Sequence, residues 1–150
     1  MSKTNSWETD FLRLIFENAH PSFVIGGSSG VDGSATAGNF YIALFTADPT
    51  DTGSVANECT WTSYARVARA RTTGSSGWTV TGNSVTNGGA ITFPTCTGGS
   101  ETATHFGICK AGTASVADLI FHGALSGGGL AISSGVTPQI AAGNLSVTED

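Results

Sequence analysis

The stretch ETATHFGICKAG, residues 101–112, gathers His105, Cys109 and Lys110 within six positions. A thiolate beside an imidazole would be a covalent nucleophile with its base, a pairing that needs the two groups within about 3 Å. The period of the stretch argues against it. Alternation puts Thr104, Phe106 and Ile108 on one face of a strand and Ala103, His105, Gly107 and Cys109 on the other, so His105 and Cys109 share a face but stand roughly 13 Å apart along it. His122, in LIFHGAL, could approach Cys109 only from a neighbouring strand, and no acid has an evident place to orient it. Both histidines read as packed or sheet-surface residues, and no catalytic residue is expected.

Other chemical patterns yield in the same way. GGSSG at residues 26–30 has the letters of a nucleophile elbow around Ser28, but an elbow needs a helix directly after the serine, and VDGSATAG cannot start one. DPTDTG carries Asp48 and Asp51 without the acid order or closing Glu of a calcium loop, and reads as a turn. Cys59, Cys96 and Cys109 are an odd count without CxxC spacing. They specify neither a disulfide framework nor a zinc site, and are expected as free, half-buried thiols. Asn144-Leu145-Ser146 is a sequon by letter alone. No metal and no cofactor is expected.

The elements that would position any site follow from period and punctuation. NSWETDFLRLIFENAHP is the one convincing helix, with Asn5 or Ser6 as cap, Glu8 as a capping-box acid and His20-Pro21 as the stop. Trp7, Phe11, Leu14 and Ile15 fall at helical spacing, Leu12 and Phe16 widen the stripe, and Asp10, Arg13 and Glu17 take the other side. That stripe must be buried, either on the protein's own sheet or on a neighbouring subunit. GGSSGVDGSATAG follows as a linker. From there the period is two: NFYIALFTA as a central strand, TSYARVARAR, GWTVTGNSVTNGGAITFP as two or three strands broken at Gly-Asn and Asn-Gly, then TATHFGICK, DLIFHGAL, LAISSGVTPQI and NLSVTED. Seven to nine short antiparallel strands make a mainly β chain of β-sandwich or jelly-roll type with one N-terminal amphipathic helix. The expected organisation is an anchoring helix at 1–22, a linker at 23–38 and a β domain at 39–150.

Composition narrows the partners. Only 11% of the 150 residues are charged, against about 25% in ordinary soluble domains, and 21 are glycine. A formal charge of -5 gives no footprint for a phosphate backbone, so nucleic acid is not an expected partner. No window approaches the roughly 20 apolar residues that span a bilayer, and the first residues lack the pattern of a signal peptide, so no membrane is expected and the chain reads as made in a cytoplasm. Arg66, Arg69 and Arg71 supply three of the six basic residues from one strand. They read either as an edge strand protected by charge or as an interface whose guanidinium groups fork onto carboxylates of another subunit.

The segments GNFYIALFTADPTDTG, SYARVARA, GWTVTGNSVTNGGAITFP, ATHFGI, LIFHGAL and SGVTPQIAAGNLSVTED together resemble small virion proteins of tailed bacteriophages, often labelled as tail-fibre or structural proteins. The resemblance runs from about Gly38 to Asp150 and implies no catalytic residues. It implies a virion component, assembled in the host cytoplasm, that serves as cement on the capsid or as part of the tail. Structural economy favours an auxiliary cement or decoration protein on the outer face of the head. Its expected partners are the major capsid protein and copies of itself, as a dimer or trimer. The alternative is a tail-fibre or tail-tip module whose Trp61, Tyr64 and Trp78 stack on sugar rings of a host surface. Candidate interaction residues are Trp7, Phe11, Leu14, Ile15, Phe16, Arg66, Arg69 and Arg71.

Overall fold

The structure is a computed structural model that describes residues 3–21, 33–114 and 118–149. It is mainly β, with antiparallel sheets and one N-terminal helix, as the periodicity requires. Eleven strands occur among the described residues rather than seven to nine, because two runs read as single strands each divide. The chain forms two compact units, one of Met1–Asn39, Ala70–Ile91 and Ile140–Asp150, the other of Phe40–Arg69 and Thr92–Gln139. Residues 23–32 of the expected linker, and with them Ser28, lie outside the described residues.

In the first unit, helix α1 (Asn5–Leu12) continues into a π-helical turn, Arg13–Glu17. The residue before it is Thr4, extended, whose carbonyl accepts the Glu8 N–H at 3.0 Å. Asn5 and Ser6 therefore lie inside the helix instead of capping it. Asn18, left-handed at φ 54°, ends the helix before Pro21 is reached. The innermost ridge is Glu8, Leu12 and Phe16, while Trp7, Phe11, Leu14 and Ile15 are half-buried. Apolar residues cover so much of this helix's circumference that period alone does not choose the ridge that faces inward. Nor is the opposite side a free polar surface. Asp10 is buried, and a Glu17 carboxylate oxygen accepts the Val80 N–H at 3.2 Å.

The helix lies on β3 (Trp78–Thr81) and β4 (Ser84–Asn87), the hairpin pair of a three-stranded sheet completed by β11 (Ser146–Thr148) in the order β11-β4-β3. Gly82, at φ +60°, is the first residue of the two-residue turn, the position that a hairpin of this length gives to glycine. Alternation sorts the sheet. Trp78, Val80, Val85, Asn87 and Val147 share one face, and the Phe16 ring meets Trp78 edge-on at 4.8 Å. Asn87 tolerates full burial because its amide donates to the carbonyls of Gly89 and Ala141 and its Oδ1 accepts the Leu145 N–H, at 2.8–2.9 Å.

The second unit is built on a four-stranded sheet in the order β2 (Val67–Ala70), β1 (Asn39–Phe45), β7 (His105–Cys109), β8 (Leu119–Ala124). β1 and β7 are interior strands, which is why both of their faces are apolar. Gly107 must be small: a Cβ there would lie 2.6 Å from Leu119 Cδ1 and 2.7 Å from Phe45 Cε2. β8, at the sheet edge, carries a bulge that leaves Ile120 without a cross-strand partner in β7 and 40% exposed. The run ETATHFGICK breaks at Thr104, whose N–H bonds Phe45 and whose carbonyl accepts from Leu125, both at 2.8 Å. Before the break, β6 (Ser100–Ala103) pairs with β9 (Leu130–Ser133). A second short pair joins β5 (Ile91–Thr92) to β10 (Gln139–Ile140).

Candidate functional site

Cys109 is fully buried, and burial, the largest cause, pushes its thiol up to about 11. Cys59 rises to about 12 through burial and then the Glu101 carboxylate. Neither is the depressed, accessible thiol that nucleophilic chemistry needs. All three cysteines are free and fully buried, where half-burial was expected. β7 and β8 are neighbours, as an approach of His122 to Cys109 would require, but the register puts His122 opposite Gly107 and Leu119 opposite Cys109. His105 instead shares a 2.9 Å hydrogen bond between Nδ1 and the Thr104 hydroxyl.

The acids that the sequence left without a place stand on His122. Its Nδ1 lies 3.2 Å from Asp48 Oδ1 and its Nε2 3.4 Å from Asp51 Oδ1. Both ring nitrogens therefore face carboxylates, and neither is turned to a hydroxyl or thiol whose proton it could take. Asp48 also accepts the Thr50 N–H at 2.9 Å, so the DPTDTG segment is the turn that its residues predict.

The three arginines separate. Arg66 is buried at the centre of a network in the second unit. Its Nε and Nη2 reach the two oxygens of Glu58, each at 2.8 Å, and its Nη1 donates to the carbonyls of Ala111 (2.8 Å) and Thr113 (3.2 Å). The Tyr64 hydroxyl donates to the same Glu58 at 2.8 Å and accepts the Leu44 N–H. The hydrogen bonds with Glu58 raise the Arg66 pKa, while burial and then the Glu58 charge push Tyr64 upward.

Arg71, in the first unit, closes the end of the helix. Its Nη2 and Nε donate to the carbonyls of Leu14 (2.8 Å) and Ile15 (2.6 Å), and its Nη1 to Ala37 (3.0 Å). A helix leaves its last carbonyls without internal donors, and a planar guanidinium is shaped to take several at once. Arg69 is buried, and burial lowers its pKa. β2 is an edge strand, yet Arg66 and Arg71, offered by the sequence to another subunit, direct these donors to groups of their own unit. Phe16 is likewise spent inside its unit, on Trp78.

The aromatic surface proposed for sugar stacking is not assembled. Trp78 is fully buried, and Trp61, 3% exposed, packs edge-on against Tyr64 at 4.6 Å and Phe93 at 6.4 Å. An open cleft of about 460 Å³ borders Trp61, Tyr64 and Arg66, but the hydroxyl of Tyr64 and the guanidinium of Arg66 are committed to the Glu58 network. Glu58, Tyr64 as a hydrogen-bonding residue and the Asp48–His122 pair escaped sequence reasoning. No local spacing connects them; only the fold does. Among the described residues no helix is long and apolar enough to cross a membrane.

A family model described as the podophage GP4 fiber I protein gp80 matches residues 29–148, well over half of the chain. The chain belongs to this family. The gp80 family is one of phage virion structural proteins of tail-fibre type, which agrees with the resemblance read from the sequence. No curated protein matches. The gp80 match takes in the Arg66 network and the His122 contacts; it begins after the helix, so it includes Arg71 but not the Leu14 and Ile15 carbonyls that Arg71 holds.

Proposed function

We propose that the chain is a non-enzymatic structural component of the phage fibre, assembled with copies of itself. The family match carries this reading, since the family is described by a fiber protein. It shifts the weight from capsid cement, which economy of size favoured, to the tail-fibre alternative. The internal chemistry is consistent with a scaffold. Burial pushes the Cys59 and Cys109 thiols upward, the nitrogens of His122 face carboxylates, and a buried polar network cross-links Glu58, Tyr64 and Arg66 of a single unit. Phe11, Leu14 and Ile15 of the helix are only half-buried, and their apolar surface would suit a partner.

Co-sedimentation separates the two locations. Purified protein mixed with tail-free heads should stay in the supernatant, while particles that lack this chain and retain tails should take it up. Saturable binding to bare heads would restore the cement reading. Size-exclusion chromatography with light scattering tests self-association, for which a strictly monomeric chain at all concentrations would be the contrary result.

A further inference from the structure

We infer that His122, Asp48 and Asp51 form a protonation-dependent latch that holds the Asp48–Gly53 turn beside the edge strand β8. Three observations meet here. β8 is the last strand of its sheet, and a strand in that position has backbone groups that a loop can shield. Thr50, Asp51 and Gly53 line one cleft of about 310 Å³ together with Leu119, Ile120, Phe121 and His122, so the turn lies alongside this edge. The two imidazole nitrogens stand 3.2 and 3.4 Å from carboxylate oxygens of that turn.

A neutral imidazole has one N–H and can donate to only one of two acceptors, whereas an imidazolium donates to both and carries the complementary charge. Gaining a proton therefore ties the turn to β8 at two carboxylates, Asp48 and Asp51, and losing it breaks at least one tie. On β7, Gly107 lies opposite His122, and the titratable residues flanking Gly107 on that face are His105, hydrogen-bonded to Thr104, and the buried Cys109. The Thr50 N–H bonds to Asp48 Oδ1, and the Gly53 and Ser54 N–H groups bond to the carbonyls of Thr50 and Pro49, so these amides report the state of the turn.

Hydrogen exchange of the Thr50, Gly53 and Ser54 amides, corrected for the intrinsic effect of pH, tests the latch. Protection should be about threefold greater at about pH 5 than at about pH 8, the scale of a surface ion pair across the range where histidine changes charge. His122→Gln should flatten this dependence, and so should Asp48→Asn, which keeps an acceptor for Thr50 but removes the charge. Nitrogen-15 spectra of the ring should show both nitrogens protonated in the closed state. Equal protection at the two pH values, or a dependence that survives His122→Gln, would overturn the latch.

Discussion

Replacing Arg66 by methionine removes a cation and keeps a side chain of similar length. The Arg66 and Glu58 side chains are only 2% and 8% exposed, so the change strands a carboxylate where water cannot solvate it. It also leaves the carbonyls of Ala111 and Thr113 without this donor. Breaking a buried pair by removing one partner costs about 3–5 kcal/mol, which is a large part of the roughly 5–15 kcal/mol that holds a typical domain folded. Urea unfolding followed by tryptophan fluorescence should show a loss on that scale for Arg66→Met. Glu58→Gln in the same chain keeps an acceptor for the Tyr64 hydroxyl and removes the stranded charge. The double variant should therefore recover at least about 1 kcal/mol relative to the sum of the single changes. A loss under about 1 kcal/mol for Arg66→Met, or strict additivity, would refute the network as a cross-link.

Phe16→Ala should cost about 3–5 kcal/mol, and Phe11→Ala, on the half-buried ridge, less than half as much; thermal melts check the order. Arg71→Ala should lower the helical circular dichroism signal and cost at least about 1.5 kcal/mol, with Arg71→Lys a poor rescue because one ammonium cannot span three carbonyls. Gly107→Ala should destabilise by about 1–3 kcal/mol through overpacking against Phe45 and Leu119. Burial raises the Cys59 and Cys109 thiols from 9.0 to about 12 and about 11, so the unfolded chain loses these protons first. Their contribution is complete below pH 9.0 and is lost as pH rises from there towards 11, by up to about 1.4 kcal/mol per pH unit per thiol. Denaturation at a series of pH values should show this decline, reduced in Cys109→Ala.

Strand positions were largely legible because alternation and turn residues are local. NFYIALF, apolar on both faces, is an interior strand, and the Gly82-Asn83 step is a hairpin turn. The break of ETATHFGICK at Thr104 was not legible, since alternation runs through it and only the partners change, from β9 to β1 and β8. Arginine roles were hidden for another reason. Glu58 lies eight residues from Arg66, but the carbonyls of Ala111 and Thr113 lie 45 and 47 away, and Leu14 is 57 residues from Arg71. An alternating strand tells which way a side chain leaves the backbone. It does not tell what waits there. The three tryptophans show the same limit, because a Trp flanked by Ser and Thr reads alike in a core and on a binding surface.

Gold-labelled antibody against this chain, applied to intact phage particles and viewed by electron microscopy, tests the fibre assignment most directly. Label should decorate the fibres at a regular position and leave the head surface bare. Label distributed over the head, with unlabelled fibres, would contradict the assignment and make the chain a capsid protein.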